Sequence, residues 1–349
     1  MDVKQIMRSW LQGNFERARH LYAYYGRGMY IGDRFRIDME LELAHYRICA
    51  ELLNNAGDKH DPGYQMRRAR LFYLTGDLAG ADAIVQKTGF NYADRMGLHL
   101  SNTRGLILLE RGEYTEAAAQ FRQKLKLPRK SDAKTDEPET ILALNGLALA
   151  QQGTHDLDAA NDSATRALQL STNGWGDASI PALDSILTLA RIRTEQHDFN
   201  EAERLLETCN RGRAKLYDTY NPKIAELFEA AAKFEMLAGS RAEALQHAAL
   251  ALDVRQEIMI GENPWPERKL QTRDLPCTAR GFWPARTLLI RGNALAAAGD
   301  LAQAAACFDN AIPTLEAALG ANAPAVQQAR RRRDSLHSMS NTAIALPAR

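Results

Sequence analysis

The sequence predicts an all-α solenoid of antiparallel helix pairs, and three observations carry that prediction. A short phrase recurs along the 349 residues: a small or turn residue, a polar residue, an apolar residue, two spacers, then alanine. It reads Gly13-Asn14-Phe15-x-x-Ala18, Gly76-Asp77-Leu78-x-x-Ala81, Gly112-Glu113-Tyr114-x-x-Ala117, His155-Asp156-Leu157-x-x-Ala160, His197-Asp198-Phe199-x-x-Ala202, Gly239-Ser240-Arg241-x-x-Ala244 and Gly299-Asp300-Leu301-x-x-Ala304. Amphipathic stretches with apolar residues at helical spacing flank each phrase, and no convincing alternating strand pattern occurs. A second marker keeps the same step: Pro181, Pro222 and Pro264 lie 41 and 42 residues apart, in glycine- and asparagine-containing linkers suited to stop one helix and start the next. A chain of this length exceeds one hydrophobic core, so each repeat is expected to bury its apolar face against its neighbours.

The intervals from Gly76 onward are 36, 43, 42, 42 and 60 residues, the last holding an insertion of about 18. Residues 1–57 are read as N-terminal helices or a degenerate repeat, since 63 residues separate Gly13 from Gly76, with an additional helix or degenerate repeat expected over 36–53. Repeat-like units follow over 58–128, then a charged loop at 129–137 and long repeats over 138–261. The insertion at 262–279 carries Pro264, Pro266 and Pro276 and is no simple helix extension. A last repeat and capping helix occupy 280–338, and 339–349 is read as a flexible tail. About seven units result.

These residues resemble the tetratricopeptide repeat family, whose small helix-A residue, turn glycine and helix-B alanine match Gly105, Gly112 and Ala117, and again Gly292, Gly299 and Ala304. The resemblance covers most of residues 1–338 and implies a right-handed superhelix of helix pairs. The long period and Leu-Gly-x-x-x-Pro linkers are closest to the extended repeats of kinesin light chains and bacterial signalling regulators. His155 and His197 depart from the pattern by replacing the turn glycine, and the usual helix-A aromatic is mostly missing.

Forty-four basic and 43 acidic side chains give a net charge of +1, which argues against phosphate attraction over the whole surface, so nucleic acid is an unlikely partner. Cys49, Cys209, Cys277 and Cys307 show no CxxC spacing and read as reduced core residues. With no cleavable leader in its first residues and no 18-residue apolar stretch, the protein is expected to be soluble and cytoplasmic. No P-loop, nucleophile elbow, HExxH, zinc-finger spacing or Rossmann fingerprint is present, so the expectation is a protein that is not an enzyme, without metal or cofactor.

The family resemblance places the first helix of each repeat on the concave face. Counting back from the turns then selects Arg70, Asn102, Arg191, Lys233, Arg286 and Asn293 as the ligand- or peptide-binding candidates. Guanidinium and amide donors suit an extended peptide or protein segment, acidic or carboxylate-bearing; pairing with neighbouring acids is the competing reading for each. Arg68, Arg104, Asn145 and Arg291 precede the small helix-A residue and read as a ladder tying repeats together. Trp265 and Trp283 flank the insertion and fit either a partner-binding anchor or core packing. The run Arg330 to Arg333 reads as a solvated face of the cap. The function expected is a peptide- or protein-binding scaffold or adaptor, with a sensor of a small molecule or signalling peptide that regulates a separate partner as the alternative and an enzyme or an enzyme's accessory subunit as the third reading.

Overall fold

The computed structural model describes residues 3–25, 32–56, 61–88, 95–126, 137–260 and 281–345. The charged loop apart from Glu137, and the insertion with Trp265 and Cys277, lie outside the described residues. Seventeen helices and no strand occur among the described residues. They are α1 (Val3–Leu11), α2 (Phe15–Tyr25), α3 (Gly32–Glu42), α4 (Tyr46–Asn54), α5 (Pro62–Thr75), α6 (Leu78–Thr88), α7 (Arg95–Arg111), α8 (Tyr114–Lys126), α9 (Glu137–Gly153), α10 (Leu157–Trp175), α11 (Ile180–Glu195), α12 (Phe199–Leu216), α13 (Pro222–Ala238), α14 (Arg241–Ile260), α15 (Phe282–Ala298), α16 (Leu301–Leu319) and α17 (Pro324–Ala345). They form eight antiparallel pairs and a capping helix.

Each residue of the recurring phrase has a physical task. The first sits in the left-handed region, and the next N–H bonds back across the turn, as Asp77 N does to Phe72 O at 2.8 Å, satisfying a carbonyl the ending helix leaves open. The polar residue then caps the following helix: the carboxylates of Asp77, Asp156 and Asp300 accept from the backbone N–H groups of Gly80, Ala159 and Gln303 at 2.8, 3.3 and 3.0 Å. The alanine is fully buried at Ala18, Ala81, Ala117, Ala160, Ala202, Ala244 and Ala304, where the two helices of a pair press together.

The same geometry reveals an eighth turn where an additional helix or a degenerate repeat was expected. Ala44 has φ of 61°, His45 N bonds to Glu40 O at 2.9 Å, and Cys49 takes the fully buried alanine position. Two short units of 31 and 32 residues, opening at Gly13 and Ala44, therefore fill the N-terminal interval. Cysteine in place of alanine hid the phrase: it is nearly as small, and burial pushes its thiol up to about 12 so that it stays protonated. A β-carbon in left-handed backbone costs about 1–2 kcal/mol, part of which glycine loses again as chain entropy. Ala44→Gly is thus expected to stabilise by about 0.5 kcal/mol in urea unfolding; a loss of stability would contradict a strained turn.

Consecutive first helices, α5, α7, α9, α11, α13 and α15, touch one another, whereas consecutive second helices do so far less, which puts the first helices on the inside of the curve. The curve is tight enough to return α6 and α7 against α16 and α17. The tail reading needs correction: α17 continues to Ala345, because no glycine or proline interrupts the chain between Pro324 and Pro347. No helix among the described residues is long and apolar enough to cross a membrane. Cys49, Cys209 and Cys307 are buried.

Candidate functional site

Because every first helix meets its neighbours in the same register, residues equally far from their turns form rows along the inner face. Six residues before the turn stand Arg70, Arg191, Lys233 and Asn293; ten before stand Asn102, Asn145 and Glu229; thirteen before stand Asp184, Glu226 and Arg286. One helical stripe therefore carries both signs of charge, and the structure pairs them.

Glu229 on α13 is the most enclosed charged member, at 4% exposure. Its carboxylate receives Arg255 Nε at 3.2 Å from α14, and Arg286 at 2.8 Å and the Thr287 hydroxyl at 2.6 Å from α15. Burial would raise its pKa, but the two guanidiniums and these hydrogen bonds outweigh burial and hold it down at about 2. A second cluster surrounds Asp184 on α11: fully buried Arg213 reaches it at 2.7 Å from α12 and Lys223 at 2.8 Å from α13. Arg213 also donates to the Lys223 carbonyl and lies 3.6 Å from Glu226. Burial opposes ionisation of Glu226, yet Lys223, Arg213, Arg255 and Arg191 bring it too down to about 2.

The curve joins residues far apart in the chain across its interior. Arg286 Nε meets Glu110 of α7 at 2.7 Å, Trp283 Nε1 donates to Tyr73 O of α5 at 3.2 Å, and Tyr217 OH donates to Glu42 of α3 at 2.6 Å. Asn221 Nδ2 adds a bond to Glu42 O at 3.0 Å.

Of the sequence-predicted residues, Arg70, Arg191, Arg286 and Asn293 are half-buried, Lys233 is exposed, and Asn102 is 1% exposed. Arg70 approaches Glu42 at 3.8 Å, Lys233 pairs with Glu195, and Arg286 bridges Glu110 and Glu229. Asn293 accepts from Arg332 at 3.3 Å. Asn102 donates to the Glu139 side chain at 2.7 Å, tying α7 to α9 rather than standing open to a ligand. Asn145 makes the equivalent tie from α9 to Ser185 of α11 at 3.1 Å, and Arg68 bonds Leu53 O at 3.2 Å. Arg191 differs from the other cations: its guanidinium makes one hydrogen bond, to Glu226 O at 3.3 Å, and no salt bridge among the described residues. Burial, reinforced by Arg286 and Arg213, lowers its pKa.

Trp283 is packed and not an exposed anchor. It is 7% exposed, meets Tyr73 edge-on at 5.4 Å, and lies under the guanidiniums of Arg255 at 4.9 Å and Arg286 at 5.8 Å. Sequence reasoning missed the acids Asp184, Glu226, Glu229 and Glu110. Asp184, Glu226 and Glu229 share the stripe with Arg191 or Lys233 at offsets of four or seven residues, and that spacing was the available signal; Glu110 has no chosen cation on its helix and gave none.

Where α7 and α8 meet α15, α16 and α17, a cavity of about 640 Å³ remains. Leu109, Leu289, Phe308, Leu315 and Leu319 give it apolar walls, and Glu110, Tyr114, Arg286, Asn293, Arg331 and Arg332 add polar groups. No group of three or more potential metal ligands occurs among the described residues.

Paired helices with a common turn, stacked with their first helices inside, define a tetratricopeptide-like helical-repeat protein. No protein-family model and no curated protein matches the chain. Among solved structures it is similar to a Rap protein complexed with Competence and Sporulation Factor, at a TM-score of 0.58 and 12% identity over 88% of this chain and 87% of that one. At this identity the likeness shows the fold. BtubC (BKLC) from P. vanneervenii aligns at 19% identity over 82% of this chain and 93% of that one, but its TM-score of 0.38 carries no argument.

Proposed function

We propose that this chain is a noncatalytic, cytoplasmic binding protein that holds a peptide or extended protein segment on its inner face, as a scaffold or adaptor. Arg191 carries the reading. Its guanidinium sits on the inner face with most of its N–H donors unspent, between neighbours whose charges are already matched. Such a group suits a carboxylate or a run of peptide carbonyls. The similar Rap fold was solved with a second molecule, Competence and Sporulation Factor, which supports reading the curve as a holder. The long repeat period adds the resemblance to bacterial signalling regulators.

The cavity favours a second reading, a sensor of a small molecule or signalling peptide that regulates a separate partner. Its volume of about 640 Å³ falls in the range of about 300–1,000 Å³ typical of small-ligand sites.

Hydrogen exchange of the full chain with and without a pool of random synthetic heptapeptides tests the proposal. Protection is expected in the first helices, above all 180–195 and 222–238, and reduced in Arg191→Gln. Protection confined to the second helices, or none, would overturn it.

A further inference from the structure

Helix pairs, counted from α1 and α2 as the first, touch more than their sequence neighbours. The end of each of the first four turns toward the start of the pair five further on. In the first pair, Gln12 Nε2 donates to Trp175 O at 3.4 Å, just before the sixth pair begins. In the second, Glu42 accepts from Tyr217 and from Asn221, the cap that opens the seventh. In the third, Tyr73 O accepts from Trp283, and Gly76 faces Phe282, where the eighth opens. In the fourth, Gly112 faces Pro324 and Ala325, the first residues of α17.

These meetings satisfy demands that neither layer meets alone. Glu42 and Trp175 end α3 and α10, where a helix leaves carbonyls without a partner of its own. Asn221 and Gln12 supply the donors from the other layer, so parting the layers would strand both acceptors. Glycine completes the fit. A β-carbon at Gly76 would lie 3.0 Å from Phe282 Cβ, and one at Gly112 would lie 3.0 Å from Ala325 N. The turns of the fifth to eighth pairs carry no second layer. His155 and His197 are exposed there, and a β-carbon at Gly239 or Gly299 would meet nothing within 4 Å among the described residues. Bulky histidine thus stands only where a turn faces solvent.

From these four contacts we propose that the spiral is closed by a continuous seam, which couples pairs five apart directly. A disturbance at the third or fourth turn passes to α15 or α17 without crossing the pairs between them. In a simple solenoid each repeat feels only its neighbours, so coupling decays along the chain. Here α5 to α7 and α15 to α17 open and close together, making the two ends of the curve one cooperative unit. The inference goes beyond the binding reading and holds whatever occupies the inner face.

Hydrogen exchange of the full chain with single alanine substitutions tests the seam. Gly76, Gly112, Gly239 and Gly299 have φ of 87°, 78°, 90° and 94°, so alanine brings each a similar backbone strain. Gly76→Ala is expected to raise exchange at least tenfold over 282–298, and Gly112→Ala over 324–336, while 157–195 keeps its protection. Gly239→Ala and Gly299→Ala should raise it only in their own and adjoining pairs. A cross-link gives an independent reading. Gly112→Cys with Ala325→Cys should form an intramolecular disulfide with oxidised glutathione, since a β-carbon at 112 would lie 3.5 Å from Ala325 Cα. Cys277→Ser in the same chain leaves three buried cysteines. The oxidised form should exchange at least tenfold more slowly than the reduced form in both α7 and α17. No disulfide in the folded chain, or exchange rising only around each substituted turn as in the two control variants, would overturn the seam.

Discussion

Replacing Glu229 by leucine should cost about 3–5 kcal/mol in urea unfolding, because it strands the buried Arg255 and takes one of two carboxylates from the half-buried Arg286 rather than deleting one contact. Arg255 is 4% exposed and Arg286 is held on α15, and both would face an apolar side chain; the Thr287 hydroxyl would lose its acceptor. Glu229→Gln keeps the shape and an acceptor for Thr287 and should fall between wild type and leucine. In a stack of repeats the loss is local first, so hydrogen exchange should rise in α13, α14 and α15 before α5 to α9. A cost below about 1 kcal/mol would mean that the cluster is solvated and can reorganise.

The same carboxylate sets a pH dependence. Its folded pKa, about 2, lies below the ordinary 4.5, so the stability it confers is complete above the ordinary value and disappears as pH falls toward 2. Glu226 adds a shift of the same sign. Wild type should therefore lose stability between about pH 5 and pH 2 more steeply than Glu229→Gln, whose side chain does not titrate there. Parallel profiles would remove Glu229 as a source of acid sensitivity.

Phe121→Ala should cost a comparable 3–5 kcal/mol, for a different reason. The ring is fully buried on α8, wedged between glycines of two first helices. A β-carbon at Gly105 would come within 2.5 Å of the ring, and one at Gly146 within 2.3 Å. The missing side chains of α7 and α9 form the socket, so truncation empties a cavity that rigid helix backbones cannot close. Gly146→Ala should be destabilising from the opposite side, by about 1–3 kcal/mol of overpacking. Phe308 repeats the device against Gly292, where an added β-carbon would lie 2.8 Å away. If Phe121→Ala unfolds like wild type in urea, the wedge is not what sets the spacing of α7 and α9.

Local geometry made most of the fold legible. A left-handed residue, a capping side chain and a buried small residue within six positions specify a helix–turn–helix whichever repeat contains them, so the phrase predicted seven of the eight turns from sequence. Ala44 escaped because the motif was defined by alanine at its end, and Cys49 satisfies the same steric demand. The extended last helix escaped because a polar, unpatterned end looks like a tail until the first proline is weighed. Arg70, Arg191, Lys233 and Asn293 reached the inner face because a 3.6-residue period fixes direction relative to the turn. What each side chain meets there is a separate matter.

The sequence by itself determined the helix pairs, their turns and the face each first helix turns inward. Only the tertiary structure decided that Arg286 meets both Glu229 and Glu110, that Trp283 is packed on Tyr73 rather than displayed, and that a cavity with surplus guanidinium opens beside α17. The physical reason is accumulation: each repeat adds a small rotation to the one before, and the sum over many repeats brings residues 176 and 210 positions apart into contact. No local pattern encodes that sum, because it depends on the volumes packed at every interface along the curve.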